Sequence, residues 1–203
     1  MGPIKFAIFD LGNVLYNFSF DNAFHYWSEK SGKSFLEIKK LYREDDMYLQ
    51  HEVNKISIGQ YKEHVCEMLG IDLSLHDFIV GWNSIFMDEI EGVSAMLEEA
   101  KKSMTLLALS NTNEIHCAYM HRKYWNLFRL FDKMYFSHEI QSRKPDQASF
   151  STVLADFQLN ANEVLFLDDR LENVHCAESL GIKSIHVKCA GDIHEGIRRY
   201  CKQ

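Results

Sequence analysis

The chain has 203 residues, 46% hydrophobic and 25% charged, with a formal net charge of −7. That length fits one medium domain or one domain with an insert, and the composition is that of an ordinary folded protein rather than a disordered one. The negative charge argues against broad binding to nucleic acid or to anionic membranes.

In chain order, the first signal is the apolar run Ile4–Phe9, a buried strand that ends at Asp10. From about Phe20 to Met87 no strand is expected, only helical periodicity. Phe35, Ile38 and Tyr42 share one face, and Ile58, Tyr61, Val65 and Leu69 another. Ser57 and Ser74 read as N-caps, and Gly32 and Gly70 as stops. Ile90, Val93, Leu97 and Ala100 then form a helix face, followed by a strand over Met104–Leu109 and a weaker one over Met134–Ser137. Phe150, Val153, Leu154 and Phe157 recur at helical spacing. Val164–Leu167 is a strand, Asn173–Leu180 a helix stopped by Gly181, and Ser184–Val187 a last strand. None of the strands alternates cleanly, which suits a sheet covered on both faces. The pattern predicts an α/β fold, a Rossmann-like parallel sheet with helices on both faces and a helical insert after the first strand. The expected boundaries are 1–18 and 88–203 for the sheet domain and 19–87 for the insert.

Five cysteines (Cys66, Cys117, Cys176, Cys189 and Cys201) are odd in number and lack CxxC spacing. They point away from a disulfide framework or a zinc ribbon and toward a reducing compartment, so the cytoplasm is the expected place. No apolar stretch is long enough to span a bilayer, and Asp10 interrupts the N-terminal run too early for a signal peptide.

Ligands of an open parallel sheet bind at the carboxyl ends of its strands. Asp10 follows the first strand. Ser110, Asn111, Thr112 and Asn113 follow the second, and Asp168 and Asp169 follow Val164–Leu167. Arg143-Lys144-Pro145 lies beyond the weaker strand. Three carboxylates near one point repel unless a cation sits among them, and oxygen ligands suit Mg²⁺ better than zinc. Lys144 and Ser110 are donors suited to an anion such as phosphate. A carboxylate beside such a site can act as a nucleophile. Taken singly, Asp10 reads better as a turn cap and Lys144 as a solvated lysine; it is their convergence that favours the functional reading. Ser110-Asn111-Thr112 reads as a helix cap.

These four segments, in this order, resemble the haloacid dehalogenase superfamily, and its phosphatase branch in particular. The insert looks like that superfamily's helical cap. Asp10-Leu11-Gly12-Asn13-Val14, Gln50-His51-Glu52, Ile56-Ser57, Gly81-Trp82 and Leu109 to Asn113 are similar to bacterial phosphatases acting on α-glucose 1-phosphate. The resemblance implies Asp10 as nucleophile and Mg²⁺ ligand, with Gly12 binding the metal through its carbonyl. It implies Asp168 as the acidic metal ligand, Asp169 as its support, Ser110 and Asn111 as phosphoryl donors, and Lys144 as the charge clamp. Family phosphatases carry a second Asp at position 12, which protonates the leaving oxygen; Gly12 departs from that. General acid–base catalysis contributes about 10²–10⁴-fold, so its loss bites hardest on basic leaving groups. A preference for anomeric, acyl or aryl phosphates follows, with His51 or a water as a substitute proton source.

The function expected is therefore Mg²⁺-dependent hydrolysis of a small phosphorylated metabolite through an aspartyl-phosphate on Asp10. The rivals are a metal-independent 2-haloacid dehalogenase of the same fold and a phospho-ligand binder that lost catalysis with the acid. Among the other side chains, Arg170 reads as a substrate contact or as a partner of Glu172. The aromatics Phe24, Trp27, Trp82 and Phe86 read as core or as walls of the substrate entrance.

Overall fold

The computed structural model describes residues 3–201. The first apolar run forms β1 (Phe6–Phe9), and Tyr16–Phe18 forms a short β2. Five helices follow with no strand between them: α1 (Phe20–Ser31), α2 (Phe35–Leu41), α3 (Asp46–Glu52), α4 (Ile58–Leu69) and α5 (Leu75–Asn83). The chain returns through β3 (Phe86–Glu89), α6 (Val93–Ala100) and β4 (Thr105–Ser110). Then come α7 (Glu114–Lys123), α8 (Trp125–Phe128), β5 (Lys133–Phe136), α9 (Ser137–Ile140) and α10 (Gln147–Asp156). The chain ends with β6 (Val164–Asp168), α11 (Leu171–Ser179), β7 (Lys183–His186) and α12 (Ala190–Cys201).

Strands β5-β4-β1-β6-β7 form one sheet in that order, every pair parallel. The five expected strands are all present, and β1 lies in the middle. Ala7 and Phe9 pack into the core on one face, while Ile8 packs with Phe150, Val153 and Phe166 on the other. Burial on both faces is why the strand reads as a continuous apolar run rather than an alternating one.

One pair of strands was not legible. β2 and β3 form a separate antiparallel ribbon, with Phe18 opposite Phe86 and Tyr16 opposite Glu89. Each has three or four residues, too few to show a period, and β3 is mostly exposed. The ribbon joins the helical insert to the sheet domain and carries Phe18 to the site.

Within the insert, Ser57 closes a capping box with Gln60, Ser74 caps α5, and Gly32 and Gly70 end α1 and α4 in left-handed conformation. The insert's core is aromatic: Trp27 stacks on Phe78 at 4.9 Å and on Trp82 at 6.0 Å. Gly81 lets α5 approach α1, since a Cβ there would lie 2.2 Å from Trp27 Nε1. Trp27, Trp82 and Phe24 are therefore core, whereas Phe86 faces the site. Cys66, Cys117, Cys176 and Cys189 are free thiols, and the side chain of Cys201 lies outside the described ones. No helix among the described residues is long and apolar enough to cross a membrane.

Candidate active site

β1 lies between β4 and β6, so the residues that end these three strands meet at one rim. Asp10 leaves β1, Ser110 ends β4, Asp168 ends β6, and the loop between α9 and α10 brings Lys144 over them. Lys144 is only 2% exposed. A buried ammonium is stable only with charged partners. Its Nζ donates to Asp10 Oδ1 at 2.6 Å and to Asp168 Oδ2 at 2.8 Å. The loop is held by Asn111, whose amide accepts from the Lys144 N–H and donates to the Lys144 carbonyl, both at 2.8 Å. The helix cap after β4 is Asn113, which accepts from the His116 N–H at 3.0 Å. Ser110 and Asn111 are thereby left for the rim.

Asp10, Gly12, Ser110, Asn111, Lys144 and Asp169 line a single cleft between the sheet and the helical insert. Asp168 lies beneath it, fully buried. Its carboxylate also accepts from the Arg170 N–H at 2.8 Å and from Asn173 Nδ2, at 3.0 Å to each oxygen. Asp169 is partly exposed in the cleft and accepts from Asn13 Nδ2 at 3.2 Å. Asn13 adopts a left-handed backbone, φ 54°, which asparagine tolerates, and so turns the chain just after Gly12.

Oxygens of Asp10, Asp168 and Asp169 all lie within 4.8 Å of one another. Burial raises the Asp10 pKa to about 7; Lys144 pulls it down, and Asp168 and Asp169 push it up. Burial also raises Asp169. On Lys144 burial is the largest influence and disfavours the charge, yet Asp10 and Asp168 outweigh it and its pKa is raised. Three acids face one lysine, a residual negative charge of the kind a divalent cation relieves, and the hard carboxylate oxygens fit magnesium.

Sequence reasoning made Asp168 the acidic metal ligand and Asp169 its support. The structure brings both within reach of one metal position and gives them different surroundings: the Asp168 oxygens are engaged by Lys144, Asn173 and the Arg170 N–H, while Asp169 faces the cleft. Asn13 and Asn173 were missed. Asn173 sits five residues after Asp168, and only the turn into α11 reveals that it reaches back. Phe18 and Glu52 were also missed as cleft residues. Glu52 is buried, accepts from Tyr48 Oη at 3.0 Å and from Arg143 Nε at 2.8 Å, and so ties α3 to the Lys144 loop.

His51 does not line the cleft, where a substitute proton source would have to stand. It is buried outside the cleft, stacked on Tyr61 at 4.6 Å, and burial lowers its pKa to about 4. His116 does line the cleft. Its Nε2 is 3.0 Å from the Trp82 carbonyl, its Nδ1 is 3.1 Å from the Asn113 amide, and burial lowers it to about 3. Arg170 pairs with Glu172 at 2.8 Å in a half-exposed ion pair. At Gly12, an added Cβ would lie 2.8 Å from Phe18 Cε1.

Residues 7–187 match the family model described as haloacid dehalogenase-like hydrolase, and the chain belongs to that family. It is similar to the D-ribitol-5-phosphate phosphatase of Bacteroides thetaiotaomicron, 23% identical over 93% of this chain and 94% of the relative. It is 27% identical to the drimenol cyclase drtB of Aspergillus calidoustus over 90% of this chain, and spans 34% of that longer protein. Among solved structures, a haloacid dehalogenase family enzyme of Bacteroides thetaiotaomicron in complex with magnesium and inorganic phosphate superposes with a TM-score of 0.79. The two are 26% identical, covering 92% of this chain and 95% of that one.

Proposed function

We propose that the protein is a magnesium-dependent phosphatase that hydrolyses a small phosphorylated metabolite through an aspartyl-phosphate on Asp10. The observation that carries this reading is the position of Asp10, bonded to the buried Lys144 on one side and within metal-ligand reach of Asp169 on the other. Phosphatase activity of one relative and a magnesium–phosphate complex of another support it.

Asp10, Asp169 and the Gly12 carbonyl would hold the metal. Magnesium supplies positive charge facing the transferred phosphoryl oxygens. Lys144 favours the ionised, nucleophilic form of Asp10 and offers a cation to the phosphoryl group. Ser110 and the Asn111 N–H donate to it from the end of β4. Asp168 positions Lys144. No carboxylate stands at position 12 to protonate the leaving oxygen, so weakly basic leaving groups are favoured. A sugar 1-phosphate such as α-glucose 1-phosphate is one member of that class. The helical insert serves as a cap, with the sheet domain at 1–18 and 88–203.

The test is hydrolysis of p-nitrophenyl phosphate with and without Mg²⁺, beside Asp10→Asn. Turnover that needs both the metal and Asp10 is expected. Turnover that survives chelation or the substitution would overturn the assignment.

A further inference from the structure

Gly12 and Phe18 act as one unit. The ring of Phe18 occupies the space that a side chain at position 12 would enter: an added Cβ meets Cε1 at 2.8 Å and Cδ1 at 2.9 Å. An aspartate at position 12 is thus incompatible with this placement of the Phe18 ring by β2. The same ring continues into an apolar wall. Phe18 packs edge-on to Phe20 at 5.9 Å, and Phe20, Ile85, Phe86 and Met120 complete that side of the cleft.

Three polar side chains near this wall are engaged within the protein, and Arg170, at the exposed edge of the cleft, pairs with Glu172. Tyr16 Oη donates to Met120 Sδ at 2.7 Å, and Tyr48 Oη donates to Glu52, which Arg143 also holds. Both ring nitrogens of His116 face protein partners. The cleft therefore has a polar floor, formed by Asp10, Ser110, Lys144 and Asp169, and an apolar wall beside it. A polyol placed against that wall loses hydrogen bonds to water without replacing them, whereas a hydrocarbon gains by leaving water.

We propose that the cleft takes a phosphate ester whose leaving group is both apolar and weakly basic, and that Phe18 sets both properties. Aryl phosphates and the terminal phosphate of apolar alkyl diphosphates share this chemistry. The proposal rests on the phosphatase reading above. In the step, an Asp10 oxygen bonds to phosphorus and the bond from phosphorus to the ester oxygen of an aryl phosphate, or to the bridging oxygen of a diphosphate, breaks. The electron pair stays on that oxygen, which departs as an aryloxide or an organic monophosphate and takes its proton from solvent. Water then adds at phosphorus, the bond to Asp10 breaks, the carboxylate is restored and phosphate leaves with the proton balance made by solvent.

The experiment crosses the two properties. Wild-type enzyme with Mg²⁺ is given 1-naphthyl phosphate and decyl diphosphate, whose leaving groups are weakly basic and carry an apolar ring or chain. It is also given 2-naphthylmethyl phosphate, apolar with a basic alkoxide, and α-glucose 1-phosphate, weakly basic but polar. For at least one of the first pair, kcat/KM is expected to exceed that for 2-naphthylmethyl phosphate by roughly 10²-fold or more, the worth of a general acid. It is expected to exceed that for α-glucose 1-phosphate by about tenfold or more from ring or chain burial. Whichever of the pair is faster names the source. Near-equal rates on the two naphthyl esters, or a glucose 1-phosphate rate matching the first pair, would overturn the proposal while leaving a phosphatase. Absence of magnesium-dependent turnover on all four and on p-nitrophenyl phosphate would instead sink the phosphatase reading itself.

Gly12→Asp combined with Phe18→Leu is expected to raise 2-naphthylmethyl phosphate relative to 1-naphthyl phosphate by about tenfold or more. Phe18→Leu alone is expected to reduce the preference of 1-naphthyl phosphate over α-glucose 1-phosphate. An unchanged ratio in either variant that folds removes Phe18 from the proposal.

Discussion

The side chain of Asn111 closes a ring of two hydrogen bonds with the main chain of Lys144, each at 2.8 Å. It fixes the loop that carries the ammonium bonded to both Asp10 and Asp168. Asn111→Ala leaves the Lys144 N–H and carbonyl without these partners, which costs about 1–3 kcal/mol. The expected result is a lower denaturation midpoint and a loss in kcat larger than the change in KM, because Lys144 is positioned rather than removed. A variant as stable as wild type with unchanged kcat would show that the loop needs no such brace.

Asp168 and Asp169 are neighbours with different surroundings, and amide substitution separates them. Asp169→Asn changes a partly exposed cleft residue, so Mg²⁺ affinity is expected to fall about tenfold or more with little change in thermal stability. Asp168→Asn leaves Lys144 with a single carboxylate partner in a fully buried site. Breaking a buried charge pair costs about 3–5 kcal/mol, so stability is expected to fall most there. Calorimetric Mg²⁺ titration and thermal melts of both variants decide the division, and a larger loss of metal affinity in a stably folded Asp168→Asn would restore Asp168 as the ligand.

Metal binding should also depend on pH through Asp10. Burial raises its carboxyl to about 7 in the metal-free protein. Because the folded value lies above the unfolded one, Asp10 favours folding at low pH and that contribution is lost as pH rises through about 7. The metal takes the ionised form, so below that point it must displace a proton, and affinity weakens by about tenfold per pH unit. Titrations between pH 5.5 and 8.5 should show this slope in wild type and lose it in Asp10→Asn. A flat wild-type profile would mean that Asp10 is already ionised across the range.

The parallel sheet was legible because burial on both faces writes continuous apolar runs, and the site because its acids fall just after those runs and its lysine sits in Arg143-Lys144-Pro145 just before a helix. Ser57, Ser74, Gly32 and Gly70 mark helix ends by local chemistry, which a sequence shows directly. What stayed hidden depends on contacts between distant segments. Nothing in Tyr16-Asn17-Phe18 announces a strand, since its partner lies some seventy residues away at Phe86. The different surroundings of Asp168 and Asp169 depend on which carboxylate Asn173 and Lys144 reach. The meaning of Gly12 required the ring of Phe18, a neighbour in space that sequence spacing does not reveal.

His51 gives the fold a dependence on acid that can be isolated. The ring is buried, lies almost parallel to Tyr61 at 4.6 Å, and has its pKa lowered from 6.5 to about 4, by burial first, with His138 adding to the effect. For a histidine depressed in the folded state, the unfolded chain binds the proton more readily. Its stabilising contribution is present above about 6.5 and drains away as pH falls toward about 4. A shift of this size corresponds to about 3 kcal/mol at most. Other groups titrate in the same window, so the comparison needs a variant that lacks the His51 proton site. His51→Phe keeps an aromatic ring against Tyr61 and removes the proton site. Urea unfolding of both proteins at pH 7.5 and pH 4.5 is the measurement, and the variant is expected to gain about 2–3 kcal/mol on wild type between the two. A constant difference at the two pH values would show that His51 reaches solvent and titrates as it does in the unfolded chain.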